Sequence, residues 1–176
     1  LGTISFHDTK NVTSGGEGGA LIVNDPTYWE RARVVREKGT NRAQFFEGLV
    51  GKYTWVDVGS SYLMAELNAA HLLGQLQRLR EITSSRLAAW ERYRELLGPL
   101  ADRGAVEMAR IPDYARPNGH LFFLKVSDRR TRSALIEWLA REGITAPFHY
   151  VPLHTSPAGR EFGRFDGSDR WTTREA

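Results

Sequence analysis

Two short apolar runs, separated by a lysine and a cluster of glycines, constrain this chain more than any other feature. Leu1 to Phe6 reads as a strand, and His7, Asp8, Thr9 and Lys10 follow it. After Gly15-Gly16-Glu17-Gly18-Gly19 comes a continuous apolar run, Ala20-Leu21-Ile22-Val23, closed by the turn pair Asp25-Pro26. Such a run bounded by glycine and a turn reads as a second strand over Gly18 to Val23. The pattern predicts two neighbouring strands joined by a lysine-bearing loop. The glycine run is neither a Walker loop nor a dinucleotide fingerprint, because it lacks the Gly-Lys-Ser/Thr ending and leads into a strand rather than a helix. Glycine there serves a turn between strands or the close approach of a phosphate, and the run alone leaves both open.

Downstream the period changes. Tyr28 to Lys38 places Trp29, Ala32 and Val35 on one helical face, and Gly39 stops it. Thr40 to Ser61 is polar, punctuated by glycine and rich in aromatics (Phe45, Phe46, Tyr53, Trp55), which predicts a long ordered loop of the kind kept for function. Leu63, Leu67, Ala70, Leu73, Leu76 and Leu79 follow helical spacing, as do Leu87, Trp90, Tyr93 and Leu97. Two amphipathic helices, or one long bent one, are expected, with Trp90 and Tyr93 packing in the core. Beyond Pro99, Val106 to Ile111 and His120 to Val126 read as strands, Ser133 to Arg141 as a helix, and Ile144 to Val151 as another strand. This order predicts a small α/β unit behind the first part.

Composition narrows the function classes. The 176 residues contain no cysteine, so disulfides and cysteine-based zinc sites are excluded, which fits a reducing compartment and makes the cytoplasm the expected location. No run approaches the ~20 apolar residues of a membrane helix, and no membrane association is expected. A formal charge of +3, with arginines spread among acids, gives little reason to expect nucleic acid. Both ends read as cut: the chain opens within a strand and stops after Trp171-Thr172-Thr173, which resembles the start of a capped helix.

Lys10 is the residue with most chemistry. A neutral lysine amine attacks carbonyls, but the group is protonated in water unless burial or cationic neighbours intervene. A solvated lysine at a strand end is the plainer reading of position alone, and a phosphate-binding or carbonyl-attacking lysine is the functional one. His149, His154 and His120 lack the cysteines or paired carboxylates of usual metal sites, so no metal is expected. Arg129, Arg130 and Arg132 read as a solvated helix start.

Taken together, several strings resemble one family. Ser5-Phe6-His7-Asp8-Thr9-Lys10-Asn11 with Gly16-Glu17-Gly18-Gly19-Ala20 is similar to the lysine segment of the DegT/DnrJ/EryC1/StrS sugar aminotransferases, which use pyridoxal 5′-phosphate on the type I aminotransferase fold. The likeness continues through Lys38-Gly39-Thr40-Asn41-Arg42, Tyr53-Thr54-Trp55, Gly59-Ser60-Ser61-Tyr62-Leu63, Asn68-Ala69-Ala70 and Phe148 to His154, covering essentially the whole chain. The Gly-Thr-Asn-Arg and Gly-Ser-Ser-Tyr-Leu strings most resemble the branch that makes dTDP-4-amino-4,6-dideoxygalactose, the amino sugar of enterobacterial common antigen.

The resemblance implies an α/β fold made of the C-terminal part of the large cofactor domain (residues 1–80) and most of a small domain (residues 81–176). It makes Lys10 the Schiff-base lysine that also moves the proton, puts Ser5 on the cofactor phosphate, and lines the pocket with His7 and Asn11. Ser61 stands where many members have an asparagine that reaches the cofactor phosphate of the other subunit in a homodimer with a shared active site. Ser61 departs from that pattern but keeps a hydroxyl. Asn41, Arg42, Tyr53 and Tyr62, with His149, are the candidates for nucleotide-sugar contacts. L-glutamate is the implied amino donor and a dTDP-4-keto-6-deoxyhexose the acceptor, in amino-sugar synthesis for cell-surface polysaccharide. Relatives that dehydrate at C3 carry histidine in place of this lysine, so Lys10 argues for transamination. The acid for the pyridine nitrogen, the aromatic over the ring and a phosphate-holding helix are implied upstream of Leu1. Two other readings remain: a non-catalytic fragment with exposed apolar edges, and a module that binds a phosphate ligand through Lys10 and the glycine run without covalent chemistry.

Overall fold

The computed structural model describes residues 1–167 and 169, and within it the chain forms two compact units. The first comprises residues 1–89 together with 117–120, and the second residues 90–116 and the described residues after 120.

The first unit opens with an antiparallel hairpin. Strand β1 (Gly2–Ser5) pairs with β2 (Gly19–Ile22) in the register Gly2 to Ile22, Thr3 to Leu21, Ile4 to Ala20 and Ser5 to Gly19. The two apolar runs therefore pair as expected, with the lysine loop between them. After a 3₁₀ turn at Pro26–Tyr28, capped by the Asp25 carboxylate on the Thr27 N–H (3.0 Å), comes α1 (Trp29–Arg36). Lys38 and Gly39 then take positive φ values of 64° and 75°, and the Gly39 N–H returns to the Val34 carbonyl (2.9 Å). Glycine is required at 39, since a Cβ there would lie 1.8 Å from the Asp57 carbonyl oxygen.

A five-residue helix, α2 (Arg42–Phe46), interrupts the segment expected to be loop throughout. Arg42, Phe45 and Phe46 hold it together: the Arg42 guanidinium lies over the Phe46 ring (5.1 Å) and Phe45 meets Phe46 edge-on (5.6 Å). The expected pair of helices is present as α3 (Glu66–Gln77) and α4 (Leu79–Asp102), separated at Arg78, but the apolar face read for α3 is exposed at Leu67, Leu73 and Leu76, and Leu72 is buried instead. Helix α4 carries Pro99 within its last turns, where the missing N–H costs a single bond near the end. Val12, Val34 and Leu72 are the buried apolar side chains of this unit, beside the buried polar residues Ser14 and Thr40.

The second unit centres on Trp90, only 5% exposed, whose indole N–H donates to the Leu121 carbonyl (3.0 Å) and whose ring meets Phe122 edge-on (5.6 Å). Tyr93 lies against the same Phe122 ring (5.3 Å) but is 53% exposed, so of the two aromatics expected in the core only Trp90 is buried there. The expected strands are present but reduced to two residues each: β3 (Glu107–Met108) pairs antiparallel with β4 (Leu124–Lys125), reinforced by the Lys125–Glu107 ion pair (3.0 Å). Helix α5 (Arg129–Arg141) starts earlier than the apolar period suggests because Asp128 caps it, accepting the Thr131 N–H at 3.0 Å. Arg129 and Arg130 are exposed as expected, whereas the Arg132 guanidinium stacks on Phe148 (4.3 Å).

The strand expected over Ile144 to Val151 does not form. The Ile144 N–H closes onto the Leu139 carbonyl (2.8 Å) at the end of α5, and the following apolar residues find no neighbouring strand among the described residues. A 3₁₀ turn (Leu153–Thr155) and a short helix, α6 (Pro157–Phe162), with Ser156 as its cap, follow. The helix start read at Trp171 to Thr173 lies outside the described residues. No helix among the described residues is long and apolar enough to cross a membrane.

Candidate active site

The lysine loop is built on the carbonyl of Phe6. It accepts the Ser14 N–H (2.9 Å) and lies within hydrogen-bond distance of the Ser14 hydroxyl (3.0 Å), while the Phe6 N–H donates to the Gly18 carbonyl (2.8 Å). Ser14 is fully buried, its hydroxyl also 2.9 Å from the Glu17 carbonyl, and its own carbonyl accepts the Asn68 side-chain amide from α3 (2.8 Å). Loop, hairpin and helix are thus joined through one serine.

On this frame Lys10 is half-buried. Its N–H donates to the His7 carbonyl (3.0 Å), and no described residue bonds its side-chain amine. The His7 imidazole is held among Asp8 (2.7 Å), Thr9 (3.0 Å) and, on its other nitrogen, Glu17 (3.6 Å). The His7 N–H reaches the Ser5 hydroxyl oxygen at 3.4 Å. Asn11 turns the other way: its Nδ2 donates to the Asn118 carbonyl (2.7 Å) and its Oδ1 lies 2.8 Å from His120 Nδ1. His7, Lys10 and Asn11 therefore share the loop that follows Ser5, the last residue of β1.

A second group surrounds α2. The Asn41 carboxamide oxygen accepts the Thr54 N–H (2.8 Å), the Asn41 N–H donates to the Thr54 carbonyl (3.2 Å), and Tyr53 meets Phe45 edge-on (5.7 Å). Arg42 lies over Phe46, and its Nε is buried with no hydrogen-bond partner among the described residues. Gln44 bonds Glu30 (2.9 Å) and Arg33 pairs with Glu47, tying α2 to α1; the Glu47 hydrogen bond pushes the Arg33 guanidinium above its ordinary value. Ser61 bridges to Glu37 and the Tyr62 N–H donates to the Arg36 carbonyl (3.1 Å), with both side chains exposed beside the end of α1. His149 belongs to the second unit, where its exposed ring is tilted against Tyr150 (4.3 Å).

The residues that sequence reasoning missed are the ones that shape the lysine loop: Ser14, Asn68, Asn118 and His120. Asn68 stood out in the sequence only within the family resemblance and His120 only as a discounted metal ligand, neither as a partner of this loop.

The model of the DegT/DnrJ/EryC1/StrS aminotransferase family matches residues 1–175. The chain belongs to this family. A family aminotransferase from Brucella abortus shares 26% identity and superposes with a TM-score of 0.76 over 94% of this chain and 40% of its own. PseC from Helicobacter pylori, an aminotransferase involved in the biosynthesis of pseudoaminic acid, superposes with a TM-score of 0.80 at 20% identity, covering 98% of this chain and 44% of its own. The Bacillus subtilis protein ntda, solved with bound cofactor PMP, gives 0.77 at 22% identity over 98% of this chain and 38% of its own. At such identities the last two likenesses speak for the fold, which is the α/β fold of the family. The chain spans about two fifths of the length of these structures.

Pyridoxal 5′-phosphate is the cofactor of the family, and the donor set fits it. Lys10 offers a primary amine, the chemistry an aldehyde requires, which no described residue engages. Ser5 offers a hydroxyl whose oxygen already accepts the His7 N–H, leaving its hydrogen for a phosphate oxygen.

Proposed function

We propose that this chain is the lysine-bearing part of a pyridoxal-phosphate-dependent nucleotide-sugar aminotransferase. It would transfer the amino group of L-glutamate to C4 of a dTDP-4-keto-6-deoxyhexose, giving a product of the dTDP-4-amino-4,6-dideoxygalactose type for cell-surface polysaccharides such as enterobacterial common antigen. The observation that carries this reading is Lys10: half-buried, fixed by its backbone on a clamped loop, with its amine engaged by no described residue.

When bound, the cofactor supplies an electron sink for the negative charge left on the carbon that loses its proton. The chain's own residues do the rest. As general base, Lys10 Nζ takes the proton from Cα of L-glutamate; as general acid it later gives a proton to C4 of the sugar. Ser5 donates to the phosphate, and His7 and Asn11 fix the loop that presents the amine. Arg42, with Asn41, Tyr53, Tyr62 and His149, is proposed for the nucleotide sugar, because the terminal nitrogens of a guanidinium suit the oxygens of a diphosphate.

Residues 1–80 are proposed to complete a cofactor domain and 81–176 to form most of a smaller domain, in a cytoplasmic homodimer to which Ser61 contributes across the interface. Ile4, Leu21 and Ile22 are exposed on a two-stranded hairpin, which favours more sheet covering it in the whole protein.

The test is the whole enzyme with 15N-labelled L-glutamate and dTDP-4-keto-6-deoxyglucose. The reading expects 15N on sugar C4, and loss of both 2-oxoglutarate and amino sugar in Lys10→Ala. An unlabelled sugar, or turnover undiminished in Lys10→Ala, would sink it.

A further inference from the structure

Asn11 is adjacent to the lysine, yet both ends of its carboxamide are used inside the protein. Its Nδ2 lies 2.7 Å from the Asn118 carbonyl oxygen, an acceptor only, so the NH₂ end must face that way. The carboxamide oxygen is left facing His120 Nδ1 at 2.8 Å. An amide oxygen cannot donate, so Nδ1 of His120 must carry the hydrogen, which selects one tautomer of the ring. The circuit closes on itself: the Asn118 side-chain oxygen accepts the His120 N–H at 3.1 Å. The partners stand 107 and 109 residues beyond Asn11, in the short segment 117–120 that joins the first unit while the residues on either side of it belong to the second.

We infer that His120 is a positioning residue for Lys10, acting through Asn11. The inference rests on Lys10 being the reacting lysine. Val12 is the buried apolar side chain of the loop, so little hydrophobic packing holds it and its geometry depends on polar clamps. One clamp is Ser14, bound within the loop and to α3. The other is Asn11, at the residue after Lys10, where a freed carboxamide would let the lysine backbone swing between its His7 bond and the loop beyond. The Asn118 carbonyl sets the direction of that carboxamide, and the His120 ring N–H holds its oxygen end.

The test uses three variants and readouts that need no turnover. His120→Ala removes the donor. His120→Asn restores a donor at the position of Nδ1, since an Asn Nδ2 and a His Nδ1 sit equally far along the side chain. Nitrogen-15 spectra of the parent chain without cofactor should show His120 protonated at Nδ1. Amide exchange at Lys10 and Asn11 should speed about tenfold or more in His120→Ala, the consequence of one lost bond with a stranded acceptor, and return toward the parent rate in His120→Asn. In the whole enzyme, borohydride-trapped pyridoxal phosphate on Lys10 should form more slowly in His120→Ala by a similar factor and recover in His120→Asn. Asn11→Asp, which removes the donor to Asn118, should behave like His120→Ala. A bare Nδ1, exchange unchanged in His120→Ala, a loosened loop with unchanged labelling, or no recovery in His120→Asn would each overturn the inference. Absence of label on Lys10 in the parent would instead overturn the proposed function, and is told apart because exchange and nitrogen spectra are recorded without cofactor.

Discussion

Gly18→Ala tests how tightly the lysine loop is closed. A Cβ at position 18 would lie 2.5 Å from the Ser14 Oγ, 2.7 Å from the Met64 Cε and 3.1 Å from the Ser14 Cβ. The Met64 methyl ends a flexible side chain and can move aside. Ser14 cannot do so freely: it is fully buried, its N–H is bonded to Phe6, and its hydroxyl sits between the Phe6 and Glu17 carbonyls. Forcing a methyl into such packing costs roughly 1–3 kcal/mol. Against it stands the ~0.4–1 kcal/mol that alanine contributes by restricting the unfolded chain. The balance is a destabilisation of about 1–2 kcal/mol. Ser14→Ala alone should cost about 1 kcal/mol for its lost hydroxyl bond, but it also removes the 2.5 Å clash. The double variant should therefore be less destabilised than the sum of the singles by at least ~0.5 kcal/mol, a coupling measurable in a double-mutant cycle. Urea denaturation gives the three differences, and hydrogen exchange at the Phe6 and Ser14 amides locates them. Gly18→Ala as stable as the parent, or strictly additive effects, would refute this packing.

Other consequences concern the second unit. Trp90→Phe keeps an aromatic ring but strands the Leu121 carbonyl, and should cost ~1–3 kcal/mol; Trp90→Ala, which also empties the core around Phe122, should cost ~3–5 kcal/mol, read from denaturation midpoints, and two near-neutral values would contradict the assigned core. The Asp128 carboxyl is held at about 2, below its ordinary value, first by the Thr131 N–H, then by the Thr131 and Ser127 hydroxyls. A depressed folded-state value means that its contribution is complete above the unfolded value of ~3.9. The contribution is lost as pH falls from there through about 2, so Asp128→Asn should flatten the loss of α5 helicity in that window, read by circular dichroism. Identical acid titrations of parent and variant would contradict the cap.

Much of this was legible in the residues, for identifiable reasons. The hairpin was readable because two apolar runs flank glycines, and α3 and α4 because leucines recur at helical spacing over several turns. Helix α2 was hidden because five residues carry no period, and its support comes from contacts among Arg42, Phe45, Phe46 and Tyr53. Ile144 to Val151 has the composition of a strand, but strand formation depends on a partner, which composition does not supply. The site divides the same way. Lys10 and its neighbours stood out by local sequence, whereas the clamp from Asn11 to Asn118 and His120 spans over a hundred residues and had no local signal.

The most direct measurement is where pyridoxal phosphate attaches. The whole enzyme, freed of cofactor, is titrated with it, reduced with borohydride, digested, and the modified peptide located by mass spectrometry. The account predicts one dominant modification on Lys10, absent in Lys10→Ala with no compensating label on Lys38, Lys52 or Lys125. Label spread evenly over those lysines, with Lys10 no more reactive than the rest, would contradict it.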